Sequence, residues 1–151
     1  MELYHASGDV VEFPEIRKSH NSKDFSWGFY CTSNYEQAKR WASRNRKTPT
    51  INYYTYQENP SLKMLKFNKM TDEWLAFIAN CRSGAVHDYD IVAGPMADDQ
   101  VWDFVKDYLD GRIPREAFWA IVKFNYPTQQ ISFHTLKALD CLCFNKSEVL
   151  K

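Results

Sequence analysis

The chain has 151 residues, 19 basic and 19 acidic side chains and a formal net charge of +0. One domain spanning 1–151 is the expectation at this length, large enough to bury a core without disulfide staples. A neutral chain carries no global field drawing it to nucleic acid or anionic lipid, which argues against a dedicated nucleic-acid-binding module.

Other exclusions come from pattern. The first residues, with Glu2, His5 and Asp9, do not read as a secretion signal. No apolar run approaches the ~20 residues of a membrane span. Cys31, Cys81, Cys141 and Cys143 are read as reduced thiols of a cytoplasmic protein. Cys141 and Cys143 form C-x-C rather than a zinc or redox pair, so no metal site is expected.

In chain order, "ELYHA" reads as a short strand, and residues 8–24 as a polar surface loop with Pro14. Ser26 to Ser33, "SWGFYCTS", is an aromatic, strand-like run. "SNYEQAKRWASRNRK" reads as a helix, with Ser33 and Glu36 as a capping box. "TINYYTYQ" and "LKMLKF" read as strands, and Thr71 caps a helix burying Trp74, Phe77, Ile78 and Cys81. "YDIVA" reads as a buried strand closed by Gly94-Pro95. Ala97–Leu109 is an amphipathic helix stopped by Gly111, and Pro114 opens another. In "QQISFHT", Ile131 and Phe133 point one way and Gln130, Ser132 and His134 the other. A short helix and a strand at "CLCF" end the reading. Strands at both ends with helices between them predict an α+β fold, mainly antiparallel.

No Gly-rich nucleotide loop, zinc-protease helix or nucleophile elbow occurs. Three stretches draw attention instead. His5 lies on the first strand and is followed by the small Ala6 and Ser7. Gly28-Phe29-Tyr30 precedes the helix that carries Trp41. Gln130 stands on a late strand. Taken singly, each has an ordinary structural explanation: a satisfied histidine, a strand tyrosine, a core tryptophan.

Together the three stretches resemble the ADP-ribosyltransferase superfamily, on its diphtheria-toxin and poly(ADP-ribose)-polymerase side, whose members share a His…Tyr…Glu triad. "LYHAS" is similar to the histidine strand and "GFYCTSNYEQAKRWA" to the tyrosine strand and following helix. "QQISFHTLKAL" is similar to the glutamate strand, with Gln130 at the glutamate position. A closer resemblance is to a bacterial toxin-like family within that superfamily. It rests on Leu3–Ser7, Gly28–Thr32, Glu73–Phe77, Asp90–Asp99 and Gln130–Thr135, in order along nearly the whole chain. Members of that family resemble toxins encoded beside a small partner protein.

The resemblance implies two antiparallel sheets splitting around an NAD cleft, flanked by helices. It implies an NAD-dependent mono-ADP-ribosyltransferase that releases nicotinamide, acts on a protein or nucleic-acid acceptor, and pairs with a small antitoxin. His5, Tyr30 and Gln130 would be the catalytic set. His5, Ala6, Ser7, Tyr30, Ser33 and Trp41 would hold NAD, with Tyr30 and Trp41 clamping the nicotinamide.

Those residue types suit the chemistry. Aromatic faces attract a flat cation, and an oxocarbenium-like state forms when the glycosidic bond breaks. Ala6 stands where the family has Gly, and Ala38 where the polymerases have a Ser. Gln130 has neither charge nor basicity, which argues against chain elongation, although Gln130→Glu is expected to keep or raise NAD cleavage. Asp90, Asp98 and Asp99 are candidate substitute carboxylates, and His134 is a candidate second wall residue. The basic run Lys39–Lys47 is a solvated helix face or an approach surface for an acidic target. The rival expectations are NAD hydrolysis or phosphorolysis at the same site, and an inactive module that binds NAD, ADP-ribose or a protein.

Overall fold

The computed structural model describes residues 1–17, 23–44, 46–97, 99–122 and 128–151. Seven strands and five helices follow one another among them. They are β1 (Glu2–Ser7), β2 (Phe29–Cys31), α1 (Tyr35–Ala42), β3 (Thr50–Tyr56), β4 (Met64–Lys66) and α2 (Asp72–Arg82). After these come β5 (Ile91–Pro95), α3 (Asp99–Leu109), α4 (Arg115–Val122), β6 (Gln129–Phe133), α5 (Leu136–Leu139) and β7 (Leu142–Val149).

The strands form two open sheets, ordered β1-β3-β7 and β2-β6-β5-β4. All pairings are antiparallel except β4 with β5. The α+β reading therefore holds. Among the described residues one β-bridge links the sheets, where the Tyr4 amide donates to Thr32 O at 2.8 Å and the Thr32 amide to Tyr4 O at 2.9 Å. The next residues on each side of that bridge, His5 and Cys31–Tyr30, belong to different sheets. This is how the histidine and tyrosine strands come side by side.

Burial follows the alternation of the strands. Leu3, Phe29, Tyr54, Ile131 and Phe133 fill a core shared by the two sheets. Trp74, Ile78, Val92, Val101 and Phe118 join three helices to the larger sheet. Ala38, Ala42 and Ile51 seat α1 on the smaller one. β6 is buried on both faces, because Gln130 and Ser132 are covered as fully as Ile131 and Phe133.

Several ends are set by local chemistry. Thr71 Oγ1 accepts from the Trp74 amide at 3.2 Å and caps α2 as expected. Gly111, at φ +75°, ends α3. The cap of α1, however, is Asn34, whose side-chain oxygen accepts from the Gln37 amide at 3.1 Å. The capping box expected at Ser33 does not form. No helix among the described residues is long and apolar enough to cross a membrane.

Candidate functional site

A cleft of about 310 Å³ opens beside the bridge between the sheets. Its walls are His5 and Ala6 of β1, Tyr30 of β2, Trp41 of α1 and Gln130 of β6. They are joined by Lys23, Asp24, Arg44, Arg46, Arg82 and Met96. Five residues singled out in the sequence thus meet in one place, brought there by four elements.

His5 is held at one nitrogen. Its Nδ1 lies 2.6 Å from Tyr30 O, and a carbonyl can only accept, so Nδ1 carries the proton and Nε2 is a lone-pair acceptor. The ring stacks on Phe29 at 4.0 Å. Burial, reinforced by the charges of Lys23, Arg46 and Arg17, lowers its pKa from 6.5 to about 4. At neutral pH it is an uncharged acceptor.

Tyr30 is fixed at its hydroxyl, which donates to Ser26 O at 2.5 Å and accepts from the Phe25 amide at 3.1 Å. Those bonds hold the turn that carries Lys23 and Asp24, in which Ser26 sits at φ +75°. Burial pushes the phenol well above its usual range. Lys23 Nζ stands 5.2 Å from the centre of the Tyr30 ring. Trp41 is half-buried on the opposite element, and its carbonyl accepts from Arg46.

Gln130 is 6% exposed and donates from Nε2 to Asp24 Oδ2 at 3.1 Å. Asp24 is 3% exposed. Its Oδ1 accepts from Arg82 Nε at 2.6 Å and its Oδ2 from the Ala97 amide at 2.8 Å. Burial raises its carboxyl pKa, against the pull of Arg82, the Ala97 amide and Gln130. Lys23, Arg44 and Arg46 are the other basic residues of the lining, beside the Arg82–Asp24 ion pair. A neutral protein therefore presents a locally cationic cleft, suited to an anionic ligand.

Other expected residues lie elsewhere. Ser7 is outside the lining, and its Oγ accepts from the Asp9 amide at 3.1 Å. Ser33 is exposed and also outside it. His134 does not face the cleft. Its Nδ1–H donates to Trp27 O at 2.7 Å, and its Nε2 lies 2.7 Å from Ser132 Oγ. Gly28 makes room for that ring, since a Cβ there would lie 2.7 Å from Nδ1. Asp90 is structural: Oδ1 accepts from Thr135 at 2.6 Å and Oδ2 from the Lys63 amide at 2.9 Å. Asp98 and the Asp99 side chain lie outside the described residues. Arg44 and Arg46 of the basic run reach the cleft, while Lys39 and Arg40 are exposed on α1.

Lys23, Asp24, Arg82 and Met96 are wall residues that the sequence reading did not single out. Only Lys23-Asp24, a charged pair just ahead of the glycine-aromatic strand, carried a local signal. No group of three or more His, Cys, Asp or Glu among the described residues could hold a metal ion.

Fold and site together define an α+β protein with a small cationic cleft at the junction of two open sheets. A family model described as "Protein of unknown function (DUF3990)" matches residues 1–144, and the chain belongs to that family. No curated protein matches the chain.

Proposed function

We infer that the chain is an NAD-dependent mono-ADP-ribosyltransferase with the split-sheet fold of that superfamily. One observation carries the reading: His5, Ala6, Tyr30, Trp41 and Gln130, chosen for their likeness to a spaced motif, line a single cleft. The cleft has the volume of a ligand site. Its chemistry fits NAD as substrate. His5 Nε2 can accept from a ribose hydroxyl. Lys23, Arg44 and Arg46 suit a pyrophosphate. The Tyr30 and Trp41 rings can flank a cationic nicotinamide, adding about 0.5–2 kcal/mol.

In this reaction the bond between the nicotinamide nitrogen and ribose C1′ breaks, and its electron pair leaves with nicotinamide. The acceptor's nucleophile bonds to C1′ and releases its proton to water. Gln130 can hold a ribose hydroxyl but cannot take that proton. Asp24, the acidic group among the described lining residues, is already engaged by three donors. The expected product therefore carries single ADP-ribose units, and polymer on a sizing gel would contradict that. The acceptor is a protein or nucleic acid, and a small antitoxin protein is the proposed partner in the cytoplasm.

The engagement of Asp24 also favours a second reading, a module that binds NAD or ADP-ribose without turnover. Incubation of the pure protein with labelled NAD and cell lysate separates the two. Transfer of label to macromolecule with release of nicotinamide supports the enzyme. Free nicotinamide without labelled macromolecule identifies a hydrolase or phosphorylase. Binding alone identifies the module.

A further inference from the structure

The buried carboxylate of Asp24 receives donors from three parts of the chain: Arg82 at the end of α2, the Ala97 amide after β5 and Gln130 on β6. All three are hydrogen-bond donors, so both oxygens must accept, which is the pattern of an ionised carboxylate. Arg82 is itself fixed, by Ala97 O at 3.0 Å and by the Trp102 ring at 4.3 Å. Asp24 is therefore a rigid acceptor.

This settles the orientation of Gln130. A flipped amide would set Oε1 against Oδ2, two acceptors at hydrogen-bonding distance with no proton between them. Nε2 must face Asp24, and Oε1 is the atom left over. Oε1 accepts no hydrogen bond among the described residues, and Gln130 lines the cleft.

We propose that Asp24 is a positioning residue for Gln130, turning its amide so that the cleft meets an acceptor and selects a ligand that brings a donor there. With NAD as the ligand that donor is a ribose hydroxyl, a step that rests on the proposed function; the orientation itself does not.

The arrangement changes what Gln130→Glu should do. A glutamate there lacks the Nε2 donor and sets a second carboxylate against Asp24, so one of the two must hold a proton. The expectation that this change keeps or raises NAD cleavage does not fit that geometry. Exchanging the pair, Asp24→Asn with Gln130→Glu, restores one amide and one carboxylate. The new amide oxygen still accepts from Arg82 and its nitrogen donates to the new carboxylate. Only the Ala97 amide loses its acceptor.

The test has a ligand-free arm and a turnover arm. The Gln130 side-chain amide signals, identified in a proton–nitrogen spectrum by their loss in Gln130→Ala, are followed as the pH is lowered. Arg82, Lys23, Tyr30 and Cys81 also face Asp24; burial pushes the Tyr30 phenol and the Cys81 thiol up, so both already hold their protons, and draws the Lys23 ammonium down. His5 and His134, which bonds Ser132 on the strand of Gln130, both take up a proton in acid, so His5→Gln and His134→Gln serve as controls. The signals should shift as Asp24 is protonated, still shift in both histidine variants, and stop responding in Asp24→Asn. In turnover, each single change should lower kcat for NAD by about ten- to a hundredfold with little change in KM. The exchanged pair should recover at least about tenfold over the weaker single variant. Amide signals insensitive to acid in the wild-type protein, or losses that merely add in the pair, would overturn the proposal. Should the protein never cleave NAD, the functional reading fails, and the spectrum alone still decides the orientation.

Discussion

The cleft edge of β1 and the end of β6 each hold a neutral histidine, and the two differ in one nitrogen. His5 and His134 both donate from Nδ1 to a backbone carbonyl, of Tyr30 and of Trp27. Burial is the main reason both have their pKa lowered to about 4. At His134 the second nitrogen is taken up by the Ser132 hydroxyl. At His5 it accepts nothing among the described residues and stands in the cleft wall. Identical protonation states thus go with a structural pin in one region and an open acceptor in the cleft wall in the other. The neighbour of Nε2 decides which.

Acid acts on both regions and gives the largest effect. Unfolded histidines titrate near 6.5, so between that pH and about 4 the unfolded chain binds more protons than the folded one. Stability should be full above 6.5 and fall as the pH drops below it, by about 1.4 kcal/mol per pH unit for each histidine. Urea unfolding at pH 7 and pH 5 measures this in Asp24→Asn, which lacks the opposite contribution of the raised Asp24 carboxyl, and equal midpoints there would mean that the imidazoles are not held neutral.

The next changes separate the pin from the acceptor. In Gly28→Ala the new Cβ would lie 2.7 Å from His134 Nδ1 and 2.9 Å from Phe133 O. The backbone must shift, at a cost of about 1–3 kcal/mol. His134→Ala removes the bonds from Nδ1–H to Trp27 O and between Nε2 and Ser132 Oγ, although Ser132 keeps Val92 O at 3.2 Å, at a similar cost of about 1–3 kcal/mol. Both variants should unfold at lower urea and, while folded, bind NAD as the parent does. A loss of NAD affinity without a loss of stability in His134→Ala would move that histidine into the site.

The smallest effect concerns the turn behind the cleft. Tyr30→Phe removes the bonds to Ser26 O and the Phe25 amide and should cost about 0.5–1.5 kcal/mol. It should also loosen the Lys23–Asp24 turn, seen as faster amide exchange at Phe25 and Ser26. Unchanged exchange there would show that the turn holds without the phenol.

The two walls of the cleft were unequally legible in the sequence. His5, Tyr30 and Trp41 sit on or beside regular elements, in a local order that a motif can carry. The Asp24 cluster carries none, since its partners Arg82, Ala97 and Gln130 lie 58, 73 and 106 positions away. Only folding makes that carboxylate part of the site. Gln130 was legible as a position, but its orientation was not. Alternation was also too coarse for β6. It separated Gln130 and Ser132 from Ile131 and Phe133, yet both faces are buried, because helices cover the second face. β7 runs on through polar residues to Val149 because an edge strand with one neighbour need not be apolar.

Calorimetric titration of NAD into the wild-type protein and into Trp41→Ala tests the central claim most directly. One saturable site is expected in the wild type, weakened in Trp41→Ala by roughly 1–3 kcal/mol through lost stacking area, with the unfolding midpoint little changed. No binding to the wild type, or equal affinity in the two proteins, would contradict the assignment of this cleft to NAD.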